Sequence, residues 1–162
     1  MIEPNNTLPL QPPTVPGTIQ RPGPHDFQEI LDVWEHSVRA THYFLKEADI
    51  LLFRALIPRY LELLDLYCVR DAAGSISGFL GVAAGKIEML FIRPDQRGAG
   101  IGRLLLRYAT TELSLSKVDV NEQNEQARGF YEHAGFCVTS RSNTDSLGMP
   151  YPLLHLTYCP GC

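Results

Sequence analysis

Three glycines spaced by single residues follow an arginine in the stretch Arg97-Gly98-Ala99-Gly100-Ile101-Gly102. Behind them Ile101, Leu104, Leu105 and Tyr108 recur at helical spacing, which predicts a helix beginning at the glycines. The first turn of a helix carries N–H groups without intrahelical acceptors and a partial positive charge. A bare backbone lets an anion reach those groups, so phosphate or pyrophosphate is the ligand that fits. Arg97 adds a cation at the mouth. Neither common nucleotide motif is complete. A P-loop ends in Gly-Lys-Ser/Thr, whereas Gly102 is followed by Arg103 and Leu104, and the dinucleotide fingerprint wants a glycine where Arg103 stands. The bland alternative is a helix start with glycines for close packing.

Other side chains with chemical reach are scattered. Tyr131 shares one side of a helix-like stretch with Ala127, Phe130 and Ala134, a spacing that suits a core residue. Glu88 lies on a strand-like run, where alternation puts it with Leu90 and Ile92 on one face and Met89 with Phe91 on the other. His42 is a loop histidine whose ordinary pKa of about 6.5 suits proton transfer. Cys68 and Cys137 fall in apolar runs and read as buried thiols. Cys159-Pro-Gly-Cys162 lacks the second ligand pair of a zinc site and the strand-to-helix setting of a redox motif, so no metal is expected.

The elements that must position these residues follow from pattern. Residues 1–17 hold five of the 12 prolines and no apolar period, which predicts a disordered or extended leader. A strand over 18–21 opens the domain. Asp26 and Glu29 have capping-box spacing before the helical stripe Phe27, Ile30, Leu31, Trp34 and Val38. A second helix over 46–64 contains Pro58, which must kink it or start a new turn. Strands are predicted over 66–70, 77–84 and 87–92, with Gly85-Lys86 as a type II′ hairpin turn. The glycine-led helix, a strand over 117–121, a helix over 124–134 stopped by Gly135, and strands over 136–140 and 153–158 complete the order β-α-α-β-β-β-α-β-α-β-β. That order predicts an α/β fold around one mixed sheet. The domain spans 18–158, with 159–162 as a tail.

Net charge of −4 and a pI near 5.7 give no basic surface for nucleic acid. No apolar run approaches the ~20 residues of a membrane span, and no secretory signal opens the chain. These features point to a cytoplasmic protein without membrane or nucleic-acid partners.

Arg97, Gly100 and Gly102 fit the pattern Arg/Gln-x-x-Gly-x-Gly/Ala, which resembles motif A of the GCN5-related N-acetyltransferases (GNAT). Residues 119–136 (DVNEQNEQARGFYEHAGF) resemble the last block of the same family, Asn-x-x-Ala-x-x-x-Tyr-x-x-x-Gly-Phe, with Asn124, Ala127, Tyr131, Gly135 and Phe136 in matching positions. The likeness covers roughly residues 18–158. It is closer still to the bacterial YjaB-type N-acetyltransferases over Thr41-His42-x-Phe44-Leu45, over 120–127 (VNEQNEQA), and over Leu147-Gly148-x-Pro150-Tyr151-Pro152-Leu153-Leu154.

The resemblance implies a GNAT-like mixed, twisted central β-sheet flanked by helices, and direct transfer of the acetyl group of acetyl-CoA to a primary amine. The amine is a small molecule, a protein lysine or an N-terminus. Residues Arg97, Gly98, Ala99, Gly100, Ile101 and Gly102 would cradle the pyrophosphate. The pantetheine arm would lie along Leu90, Phe91 and Ile92, with the N–H of Phe91 or Ile92 as oxyanion donor. Asn124 would contact the pantetheine or simply cap its helix. Tyr131 would be the general acid, since a phenol of pKa about 10 is protonated at neutral pH. The base would be Glu88, His42 or water. Acceptor contacts would come from the first two helices and residues 143–152, with Trp34, Tyr43, Phe44 and Tyr151 as candidate walls. Homodimers are common in the family. The alternatives are a CoA-binding regulatory module without turnover and a nucleotide-binding protein.

Overall fold

The computed structural model describes residues 17–161, so the predicted leader, apart from Gly17, and Cys162 lie outside them. Alternating β-branched and aromatic residues build one seven-stranded mixed sheet in the order β1-β2-β3-β4-β5-β7-β6. In chain order β1 (Ile19–Gln20) precedes α1 (Phe27–Thr41) and α2 (Glu47–Leu61). The antiparallel run β2 (Asp65–Arg70), β3 (Ile76–Ala83) and β4 (Lys86–Ile92) follows. Then come α3 (Ile101–Thr111), β5 (Lys117–Asn121), α4 (Glu125–His133), β6 (Phe136–Ser142) and β7 (Leu153–Tyr158). Order and element types match the sequence expectation.

The sheet buries both faces. On one, Ile30, Val38, Ile57 and Leu61 of α1 and α2 pack on Cys68, Ile76, Phe79 and Met89. On the other, Leu105, Leu106 and Ala109 of α3 and Tyr131 of α4 pack on Val69, Leu80, Val118, Val120 and Leu156. Trp34 is a core residue. Pro58 sits inside a helix that runs on past it. No helix among the described residues is long and apolar enough to cross a membrane.

Three local expectations change. The hairpin loop between β3 and β4 is Ala84-Gly85, not Gly85-Lys86. Both residues have left-handed φ, 49° and 75°, so the turn is type I′, whose twist suits the flanking strands. Asp26 and Glu29 do not form a capping box. Asp26 accepts from the Gly23 N–H at 2.9 Å, Glu29 accepts from the Ile76 N–H at 2.6 Å, and both carboxylates face Arg70, at 2.9 and 3.6 Å. A tertiary partner thus outcompetes the helix's own first turn.

The third change bears on the site. Gly81 registers with Met89 but Val82 with Ile87, so Glu88 is an extra residue in β4, a β-bulge. Strict alternation fails across it. Ile87 packs in the same layer as Leu90 and Ile92, and the Glu88 carboxylate points to α2, where it accepts from the Tyr60 hydroxyl at 2.9 Å. Glu88 therefore shares the α1/α2 side with Met89, opposite Leu90 and Ile92. Immediately before this bulge, β4 and β5 make their two register pairs, Lys86↔Lys117 and Ile87↔Val118. Beyond them the strands part.

Burial alone would raise the Asp26 carboxyl, but the Arg70 hydrogen bond and the Gly23 N–H outweigh it and hold the group below 3.8. A depressed carboxylate adds stability above its unfolded pKa and loses it as pH falls through the folded one. Asp26→Asn should cost about 1.5–3 kcal/mol at pH 7. That deficit should shrink on titrating below pH 3.8, as the wild-type group protonates too. Urea unfolding of both proteins at each pH checks it, and a deficit independent of pH would remove Asp26 from the account.

Candidate active site

A cavity of ≈ 1160 Å³ opens where β4 and β5 part. Its lining runs from Trp34 and Tyr60 on α1 and α2, past Glu88 and Asp119 on the strands, to Gly100, Gln126 and Tyr131 on the other side of the sheet. The cleft therefore crosses the sheet. Two ligands entering from opposite faces meet between the strand ends.

At the α3 end the backbone is an anion cradle. Gly98 and Gly100 have φ of 79° and 83°, a conformation that turns the chain into the helix and that side chains disfavour. A Cβ at either would meet nothing, so conformation and not space demands glycine there. Gly102 differs, because its Cβ would lie 3.4 Å from the Phe130 ring. Among the described residues no acceptor takes the N–H groups from Gly98 to Arg103. Arg97 donates to the Gln126 amide oxygen at 3.4 Å, and Arg97, Arg103 and Arg107 have no carboxylate partner among the described residues. Bare N–H groups, a helix N-terminus and unneutralised cations fit a pyrophosphate.

The edge of β4 is the second feature. Arg93, next after the strand, donates its N–H to the Ser77 carbonyl on β3 at 2.8 Å. Backbone groups alternate in direction, so Phe91 also turns to β3 while Leu90 and Ile92 turn to the gap. Of the two expected oxyanion donors, Ile92 has its N–H on the open side and Phe91 does not. Phe91 borders the cleft with its ring.

Tyr131 borders the same gap. It is 6% exposed, wedged against Phe130 and Phe136 with ring centroids 5.1 and 5.6 Å away. No described residue hydrogen-bonds its hydroxyl, and burial pushes its pKa well above the ordinary phenol value. A phenol so placed keeps its proton at neutral pH. Asn124 caps α4, with its Oδ1 accepting from the Ala127 N–H at 3.1 Å, and still borders the cleft. Both of its expected roles are compatible.

His42 ends α1 as its C-cap and stacks on Phe44 and Phe91, with ring centroids 5.3 and 6.3 Å away. The Thr41 hydroxyl gives its one proton to the Ser37 carbonyl, so it accepts from His42 Nδ1 at 2.7 Å. That leaves the Nε2 lone pair free. Burial, helped by the Arg97 charge, lowers the imidazole to about 4, so it stays neutral at pH 7.

The opposite end is acidic and aromatic. Glu88, Asp119 and Asp145 line it with Phe53, Leu56 and Tyr151. The Tyr151 hydroxyl donates to Asp49 and accepts from the Lys46 N–H at 3.4 Å, tying the loop before β7 to α2. The Asp145 carboxylate accepts from the N–H groups of Leu147 and Met149, at 2.9 and 2.8 Å, which sets the shape of that loop. Tyr43 is 85% exposed and does not wall the cleft, and Phe44 stacks behind it on His42 and Tyr151. Sequence reasoning missed Tyr60, Asp119 and Asp145. Asp119 ion-pairs with Lys86 across the last registered step of β4 and β5, a contact between residues 33 apart that no local pattern announces. Among the described residues no group of three His, Cys, Asp or Glu is placed to hold a metal.

Residues 64–151 match the family model described as an acetyltransferase (GNAT) domain. The chain is 39% identical to the peptidyl-lysine N-acetyltransferase YjaB of Escherichia coli (strain K12) over 141 residues, covering 87% of this chain and 96% of that protein. The solution structure of apo-form YjaB superposes with a TM-score of 0.81 over the same shares of the two chains. The PaiA N-acetyltransferase of Thermoplasma acidophilum, a coenzyme A complex, is 20% identical and superposes with a TM-score of 0.67, covering 87% of this chain and 98% of that one, which is a likeness of fold.

Two substitutions separate the cradle's components. Arg97→Ala removes an exposed charge and should weaken coenzyme A binding several-fold at low salt, with the loss fading as salt rises. Gly100→Val puts a branched side chain at left-handed φ and should weaken binding by about tenfold or more at every salt concentration. Calorimetry at two salt concentrations checks both, and equal salt dependence for the pair would contradict the division.

Proposed function

The chain belongs to the GNAT family and is an N-acetyltransferase that uses acetyl-CoA, and from that premise we propose that its acceptor is a protein lysine side chain. The alternatives of a silent CoA-binding module and of a nucleotide-binding protein are set aside with it. One observation carries the reading: a single cleft crosses the sheet, cationic with bare N–H groups at one end, acidic and apolar at the other. Glu88, Asp119 and Asp145 suit an ammonium group, while Trp34, Phe53 and Leu56 suit the methylenes of a lysine stem. The mouth supports a macromolecular acceptor. Leu56, Tyr60 and Leu147 line the cleft yet are 44%, 37% and 56% exposed, an apolar rim wider than a small amine needs. The Escherichia coli relative YjaB, named as a peptidyl-lysine enzyme, points the same way.

In the proposed mechanism residues 97–102 hold the pyrophosphate, and Leu90 and Ile92 offer their open backbone edge to the pantetheine. The Ile92 N–H faces the thioester oxygen and stabilises the charge that develops there. Glu88, directly or through water, takes the proton of the ammonium, and the Tyr60 hydroxyl orients its carboxylate. Glu88 is preferred to His42 because burial, helped by the Arg97 charge, opposes a further proton on the imidazole. The amine attacks the thioester carbon, and Tyr131 gives its proton to the departing sulfur. The acetyl-CoA requirement favours the cytoplasm as the site of action.

Acetyl-CoA consumption over lysine peptides with blocked N-termini, free amino acids and polyamines, read with product masses, tests the acceptor. Lysine peptides should dominate, and turnover of polyamines with none of peptides would sink the assignment. Tyr131→Phe should lower kcat by about 100-fold or more while leaving the Kd for acetyl-CoA nearly unchanged. Unaltered turnover would refute its role as acid.

A further inference from the structure

Beside the transfer cleft, and sharing Asp119 with it, Asp119, His155 and Ser142 stand in line across the adjacent strands β5, β7 and β6. Asp119 and His155 are direct register partners, and Ser142 registers with Leu153, two residues along β7. His155 Nδ1 lies 2.6 Å from an Asp119 carboxylate oxygen, and His155 Nε2 lies 2.6 Å from the Ser142 hydroxyl. The proton positions follow from the chemistry. An ionised carboxylate only accepts, so Nδ1 carries the hydrogen, Nε2 presents its lone pair, and Ser142 must donate. Lys86 holds the other Asp119 oxygen, which fixes the carboxylate. All three side chains sit on paired strands, a more precise support than a loop.

This is the arrangement of an activated serine: nucleophile bonded to base, base oriented by a partly buried carboxylate. Donors for an oxyanion are at hand, since the N–H groups of Asn143 and Thr144, directly after the serine, have no acceptor among the described residues. Acetyl transfer makes no use of Ser142 or His155, and neither lines the cleft. Asp119 touches both places.

We propose that Ser142, His155 and Asp119 form a second active centre that hydrolyses activated carboxylic esters. The Ser142 oxygen bonds to the ester carbonyl carbon while its proton passes to His155 Nε2. The ester C–O bond breaks, and the alcohol leaves with that proton. Water then attacks the acyl-serine, gives a proton to His155, and releases the acid as the serine recovers its own. Atoms balance as ester plus water giving acid plus alcohol, with no redox partner.

The test uses the full chain, a fluorophosphonate probe and p-nitrophenyl acetate. The wild-type protein should form one phosphonyl adduct, with fluoride lost, on the peptide containing Ser142. Ser142→Ala should abolish the adduct and the ester hydrolysis while keeping acetyl-CoA-dependent transfer, which also certifies its fold. His155→Asn should slow labelling by about 100-fold or more. No adduct on transfer-active wild-type protein overturns the proposal. So does an adduct that persists in Ser142→Ala, or a labelling rate indifferent to His155→Asn.

Discussion

The parting of β4 from β5 is the constraint on which the rest of the molecule depends. Two parallel strands that share two register pairs and then diverge leave a slot through a sheet that would otherwise be continuous. The bulge at Glu88 supplies a physical cause. An extra residue bends its strand and increases local twist, and it falls directly after the last shared pair. The Lys86–Asp119 ion pair clamps the strands at the same level, so the divergence has a fixed origin. Without it the Leu90 and Ile92 backbone would be tied to a neighbour, and Tyr131 would face packed strand where it now borders a cleft.

Charge is divided between the two sides of this slot. Backbone N–H groups and Arg97 gather beyond one face, and Glu88, Asp119 and Asp145 gather beyond the other. Each side suits a ligand of opposite sign, and two such ligands would meet at the strand ends, beside the buried Tyr131. Its burial against Phe130 and Phe136 keeps its proton on at neutral pH.

The polar network on the neighbouring strands is of another kind. Asp119, His155 and Ser142 satisfy one another in a fixed direction, so the network is rigid and its nucleophile is aimed. Asp119 joins it to the clamp between β4 and β5 through Lys86. One carboxylate therefore serves both the geometry of the cleft and the orientation of the histidine.

Much of this was legible in the residues themselves. The glycine loop, the Asn124 cap, the Gly135 stop and the order of elements are local, because backbone conformation answers to a residue and its near neighbours. Tertiary structure decided the rest. Asp26 and Glu29 have the spacing of a capping box, yet Arg70 and the Ile76 N–H draw them away. Alternation put Glu88 beside Leu90 and Ile92, and the bulge reversed it. The pairing of Asp119 with Lys86 and His155 depends on register between strands 33 and 36 residues apart. Register is set by how whole faces bury against distant helices, and no short window of sequence contains that information. The sequence alone thus determined the glycine-led helix start and the family of chemistry, while only the packed sheet decided which side chains border the cleft.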